Sequence, residues 1–128
     1  MRILLDTHAF LWFLDDAPEL SPRAKEIFIN ANNILYLSTA SIWEMAIKAS
    51  LGKLTVVRPL SEWLPKQLQI NNIATLEPRT EHVLAVESLP FHHRDPFDRL
   101  LIAQAKIENI SLLSADKKMD AYSVRRIW

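Results

Sequence analysis

Hydrophobic positions along the chain recur on two length scales. Short, nearly continuous apolar runs alternate with longer segments whose apolar residues return at helical spacing. Arg2–Leu5 reads as a first strand and Thr7–Leu14 as a buried helix that ends near Asp15-Asp16-Ala17-Pro18. Ser21-Pro22 predicts a helix start, with Ser as N-cap and Pro at the first helical position, and that helix runs to about Ala31. Ile34–Leu37 is a second strand. Ser41–Leu51 is helical, with Ile42, Met45, Ala46 and Ala49 along one stripe and a stop at Gly52. Leu54–Val57 is expected as a short extended piece, and Leu60–Ile70 as a helix despite Pro65. Ile73–Leu76 follows as a third strand and Thr80–Leu89 as a helix. Pro96–Glu108 is a strongly apolar helix, expected to be buried. Ser111–Ser114 is a fourth strand, Lys117–Met119 a short helical turn, and Val124–Ile127 a last strand.

Strand alternating with helix predicts an α/β fold with a mostly parallel sheet and helices on both faces. Ligands in such sheets bind beyond the carboxyl ends of the strands. Composition narrows the picture. With 128 residues there is room for one domain, 1–128, and no repeat or linker divides it. The single Gly argues against a Gly-rich nucleotide loop and against a turn-rich all-β fold. Cys is absent, which excludes disulfides and thiolate metal sites and suits a reducing compartment. The net charge is zero, so a nucleic-acid substrate would need a local positive field. The first apolar run is stopped by Asp6 and no cleavage site follows, so no signal peptide is expected. No apolar stretch reaches the ~20 residues of a membrane span. A soluble cytoplasmic protein with no membrane partner is the expectation.

The chemistry lies in acids at strand-to-helix junctions. Asp6 follows the first strand and Asp116 the fourth. Glu44 and Asp98 fall in the predicted first turns of two helices that point at the same sheet edge. Converging carboxylates repel one another unless a cation joins them, and hard oxygen donors suit Mg²⁺ or Mn²⁺. One or two such ions can activate water for phosphodiester cleavage. Each acid also has a structural reading. Asp6 and Asp116 can cap helices, Ser41-Ile42-Trp43-Glu44 matches a capping box, and Asp95-Pro96-Phe97-Asp98 reads as N-cap, Pro at N1 and an acid favoured by the helix dipole. Against this, Asp98 shares a face with apolar Leu101, Ile102 and Ala105, so its carboxylate is expected to point inward.

Four segments carry a family resemblance: Leu4-Leu5-Asp6-Thr7-His8, Ser38-Thr39-Ala40-Ser41-Ile42-Trp43-Glu44, His93 through Ala105 (His-Arg-Asp-Pro-Phe-Asp-Arg-Leu-Leu-Ile-Ala-Gln-Ala), and Leu112-Leu113-Ser114-Ala115-Asp116. In this order they span essentially the whole chain, which resembles the PIN-domain ribonucleases and, among them, the VapC-type toxins of bacterial toxin–antitoxin pairs. The resemblance implies a three-layer PIN-like fold and hydrolysis of RNA to a 5′-phosphate and a 3′-hydroxyl. It implies Asp6 and Asp98 as central metal ligands, with Glu44 and Asp116 completing the acidic pocket. Asp95 matches an extra acid of the subgroup, and Thr7 and Ser114 match small polar supports. A homodimer and a small antitoxin that blocks the site are implied as partners.

The remaining candidates are weaker. His8 lies near Asp6 and reads as packed or solvated, and His92-His93 as a solvated loop pair. Lys48, Lys53, Arg94, Arg99, Lys117 and Lys118 neighbour the acids and are expected to form a positive rim for RNA phosphate, with Arg94, Arg99, Lys117 and Lys48 as possible contacts. Trp12, Phe13, Trp43 and Trp63 are expected chiefly in the core, an exposed subset being available for a dimer or antitoxin surface. Two alternatives stand beside a metal-dependent ribonuclease toxin. In an aspartyl-phosphate phosphatase Asp6 would be the nucleophile, but His8 stands where such enzymes often place a second Asp. The other is a PIN-like interaction module without catalysis.

Overall fold

The computed structural model describes residues 1–56 and 58–128. Its centre is a sheet of five parallel strands, β1 (Arg2–Leu5), β2 (Ile34–Ser38), β3 (Ile73–Leu76), β4 (Ser111–Leu113) and β5 (Arg126–Ile127), in the order β3-β2-β1-β4-β5. All four pairings are parallel, with Leu4 opposite Tyr36 on one side and Leu112 on the other. The helices are α1 (Thr7–Leu14), α2 (Pro22–Ile29), α3 (Thr39–Ser50), α4 (Leu60–Ile70), α5 (Thr80–Ala85) and α6 (Pro96–Glu108). Short 3-10 segments run over Val86–Ser88 and Lys117–Tyr122.

The strands carry apolar residues on both faces, as a sheet covered by helices on each side requires. Successive side chains of β1 divide between two cores. Ile3 and Leu5 join Phe10, Ala24, Phe28, Met45 and Leu64, while Leu4 joins Leu101, Ile102, Ala105 and Met119. Each fully buried Leu or Ile in these layers contributes roughly 1.5–3 kcal/mol.

Local chemistry sets most boundaries. Ser21 Oγ accepts the Ala24 amide ahead of Pro22, and Asn109, at φ 53°, ends α6 in the left-handed conformation. Gly52, at φ 71°, follows α3, where its amide donates to Ala49 and that of Lys53 to Lys48, the paired bonds of a Schellman end. Pro65 sits inside α4 without ending it.

Three expectations change. The middle helix starts at Thr39, because Ser38 Oγ, not Ser41 Oγ, accepts an amide, that of Ala40 at 3.1 Å. Strand β2 therefore passes into α3 without a loop. The segment expected as Thr80–Leu89 divides into α5 and a 3-10 turn. Residues 54–56 form no strand, and Val57 lies outside the described residues.

The order of strands positions the site. From β1 the chain builds outward through β2 and β3, then returns to β4 on the other side of β1. The carboxyl ends of β1 and β4 thus meet at the point where the winding reverses, the place where such sheets bind ligands.

Candidate active site

Asp6 leaves β1 at that reversal. Its amide donates to Leu113 O at 3.0 Å, extending the β1–β4 ladder by one bond. One carboxylate oxygen, Oδ1, accepts the His8 amide at 2.7 Å and caps α1, while Oδ2 accepts the Ser114 hydroxyl at 2.7 Å. Ser114 Oγ also accepts the Asp116 amide at 3.1 Å, so one buried hydroxyl couples the two strand ends. Asp116 repeats the division of labour: Oδ1 accepts the Lys118 amide at 3.0 Å, and Oδ2 meets His93 Nε2 at 2.6 Å. Capping and site-building are therefore compatible, since each carboxylate oxygen retains a lone pair after one hydrogen bond.

Glu44 stands in the second turn of α3, so the capping-box reading is corrected. It is buried at 8% exposure; Oε1 accepts the Thr7 hydroxyl at 2.9 Å and Oε2 pairs with Lys48 Nζ at 3.0 Å. Lys48 is therefore bound to the acid and does not stand free on a rim.

Asp98 opens α6 above the buried Leu101, Ile102 and Ala105, so its carboxylate is held inward as the spacing predicted. Burial, then the charges of Asp95 and Asp6, push its pKa up to about 6, with Glu44 adding in the same direction and His93 opposing. The site thus concentrates negative charge on a group with little local compensation. The Asp116 carboxyl goes the other way. Burial raises it, but the His93 hydrogen bond, the Lys118 amide and the charges of both residues outweigh burial and leave it below the ordinary value. His8 is held above the usual imidazole value by its contact with Asp6 against a smaller effect of burial.

His93 is the residue that sequence reasoning missed. Expected in a solvated pair, it is buried, while His92 is exposed. Its Nδ1 lies 3.1 Å from the hydroxyl of buried Tyr122. The ring therefore bridges Asp116 and Tyr122 through its two nitrogens. The only hint in the sequence is its position five residues ahead of an inward-facing acid. The loop path that buries it is set by Arg99, which is itself buried. The Arg99 guanidinium donates to Pro90 O at 2.8 Å, Val86 O at 3.0 Å and Leu89 O at 3.1 Å, and lies 4.2 Å from the Phe91 ring centre. Arg99 is accordingly a loop anchor and not a rim cation, because it is buried and both terminal nitrogens are taken by loop carbonyls.

Arg94, Lys117 and Lys118 are exposed beside the acids. Asp95 is exposed and caps α6, its Oδ1 accepting the Phe97 amide at 2.8 Å, and it reaches the site through its charge on Asp98. Among the aromatics, Phe13 stacks on Phe28 at 4.1 Å and Trp63 packs on the core, as expected. Trp43 is the exposed member of the set: it is 62% exposed and lines up with Ile47 on α3 and Leu51 at its C-cap.

Ligand atoms of His93, Asp98 and Asp116 all lie within 4.8 Å of one another, the only such group among the described residues. Two carboxylates and an imidazole nitrogen at that spacing, with the Asp98 pKa raised, form a donor set that a divalent cation fits.

A parallel α/β sheet with an acidic pocket at its winding reversal is the class these features define. The PIN domain family model matches residues 3–124, and the chain belongs to that family. Among solved structures, it is similar to VapBC2 from Rickettsia felis bound to a DNA fragment from their promoter, with TM-score 0.71 and 14% identity over 99% of this chain and 98% of that one. It is also similar to FitAB bound to the IR36 DNA fragment, with TM-score 0.65 and 16% identity over 98% and 93% of the two chains. For FitAcB from Neisseria gonorrhoeae the TM-score is 0.58, with 18% identity over 98% and 96%. These likenesses are of fold. No curated protein matches the chain significantly.

Proposed function

We propose that the chain, as one PIN-like domain over 1–128, is a divalent-metal-dependent endoribonuclease and the toxin of a toxin–antitoxin pair. The observation that carries the reading is the gathering of Asp98, Asp116 and His93 within 4.8 Å, with Asp6 and Glu44 beside them. Family membership and the likeness in fold to VapBC and FitAB complexes support it.

In this reading Asp6, Asp98 and Asp116 would hold one or two Mg²⁺ or Mn²⁺ ions, and Asp95 would add charge from the rim. The bound cation would neutralise the developing phosphorane charge and lower the pKa of the attacking water. Ser114 orients Asp6, and Thr7 with Lys48 orients Glu44. Glu44, already satisfied by both partners, serves as an outer acid that can take a proton from the water. Arg94 and Lys117 meet flanking phosphates. The products are a 5′-phosphate and a 3′-hydroxyl.

A small antitoxin blocks the pocket, and the Trp43–Ile47–Leu51 stripe is offered to a second copy in a homodimer. No helix among the described residues is long and apolar enough to cross a membrane. The site of action in this reading is the cytoplasm.

The test is cleavage of labelled RNA with Mg²⁺ or Mn²⁺ against a chelator control, using wild type and Asp6→Asn. Cleavage that needs the metal and disappears in a folded Asp6→Asn supports the reading. A folded Asp6→Asn that cuts at the wild-type rate, or cleavage undiminished by the chelator, would falsify it.

A further inference from the structure

A cavity of about 250 Å³ opens beside the acids, lined by Asp6, His8, Trp12, Ala115 and Asp116. Its walls differ in chemistry. Asp6 and Asp116 form one side, and the rings of His8 and Trp12 form another. A ligand that fits both must carry a group that cation-loaded carboxylates attract and, close by, a flat apolar face.

The aromatic wall is built, not incidental. His8 and Trp12 are four residues apart on α1 and so project from one face, with ring centroids 5.7 Å apart and planes inclined by 39°. Behind them the Trp128 ring meets Trp12 edge-on at 5.8 Å and 62°. Trp12 and Trp128 both pack on the core, which immobilises the indole. Core packing accounts for the buried part of Trp12 but not for its share of a cavity with Asp6. His8 is 62% exposed at the mouth. The groove is open and small, about 250 Å³, with room for one planar ring against the wall.

We infer that this wall is a nucleobase subsite: an unpaired base next to the scissile phosphate stacks on Trp12, with His8 at the rim and Ala115 leaving the space. The inference rests on the nuclease reading and adds to it a seat for one base beside the cut. In a duplex the base faces are covered by their neighbours, and a ring platform has nothing to stack on. Apart from His8 the aromatic wall offers little polar chemistry, so stacking here is tolerant of base identity. Preference for a particular base has to come from elsewhere on the surface.

Short 5′-labelled single-stranded RNAs test this, one intact and a series each lacking a single base. Binding is read by fluorescence anisotropy with Ca²⁺ in place of Mg²⁺, and cleavage separately with Mn²⁺. For the wild type, one abasic position is expected to weaken binding roughly tenfold, the scale of a lost base–aromatic stack. Trp12→Ala should weaken the intact RNA by a similar factor and be indifferent to that abasic position, while Trp12→Phe keeps most of the affinity. Ala115→Leu fills the same space from an exposed position and should mimic Trp12→Ala, which guards against a Trp12 variant that fails to fold. If folded Trp12→Ala and Ala115→Leu bind intact RNA like wild type, or lose equally for every abasic RNA, the subsite is overturned. Wild type that cuts RNA yet ignores all abasic positions sinks the subsite alone. Wild type that neither binds nor cuts any of these RNAs sinks the nuclease reading and the subsite with it.

Discussion

His93 Nε2 lies 2.6 Å from Asp116 Oδ2, and this contact joins a buried loop histidine to the acid that follows β4. Through Nδ1 the same ring reaches Tyr122, so the orientation of Asp116 is set by His93 and Tyr122 as well as by its helix cap. His93→Ala should therefore lower Mn²⁺ affinity about 10- to 100-fold, the usual cost of removing a partner that orients or joins a metal site. Titration followed by electron paramagnetic resonance reads this directly. Tyr122→Phe should produce a smaller loss in the same direction; an unchanged Mn²⁺ isotherm for both variants would show that Asp116 needs neither.

Asp98 predicts an inverted stability profile. Its folded pKa, raised to about 6, lies above the ordinary carboxylate value of 3.8, so the folded state prefers the protonated acid. The stability it contributes is complete below pH 3.8 and is lost as pH rises through about 6. Without divalent ions, Asp98→Asn should then stabilise the protein at pH 7 by about 1–2 kcal/mol, allowing for the partial exposure of the group. This corresponds to a rise in Tm of roughly 3–8 °C. Thermal melts at pH 5 and pH 7 check the sign, since the gain should shrink at pH 5. The same variant should lose metal-dependent cleavage, a trade of activity for stability.

Arg99 separates a structural cation from a substrate contact. Arg99→Ala strips donors from several loop carbonyls and should cost about 2–4 kcal/mol in urea denaturation. Arg99→Lys should recover only part of this, because a single ammonium cannot reproduce the fork. Neither should alter the salt dependence of RNA binding. A stable Arg99→Ala with a reduced salt slope would restore it to the rim.

Arg94 and Lys117 carry the opposite expectation. Each is exposed, so alanine should leave Tm nearly unchanged while lowering the slope of log K against log salt by about one per residue. RNA binding measured across a salt series distinguishes them from Arg99.

The sequence was most informative where one local pattern had one outcome. Strand–helix alternation was enough for a parallel α/β sheet, since short apolar runs buried on both faces have no other economical arrangement. The bounds of β1, α1, α4, β3 and α6 follow from caps, prolines and apolar spacing that act within a turn or two. Asp98 was legible as inward-facing for the same reason: its helix neighbours at three, four and seven residues are Leu101, Ile102 and Ala105.

What only the tertiary structure decided depended on contacts between distant segments. Ser38 and Ser41 are equivalent helix starters by local chemistry, and the pairing of β2 with β3 out to Leu76 selected Ser38, moving Glu44 into the second turn. Arg99 and Lys48 carry the same charge signature as Arg94 and Lys117, yet loop carbonyls and Glu44 claim them. His93 was hidden because its partners lie 23 and 29 residues away. The acids at the strand ends were readable one by one. Their closeness exists only once β1 and β4 are side by side; the raised pKa of Asp98 comes first from burial, then from Asp95 on the same helix start, and only after these from Asp6 across the fold.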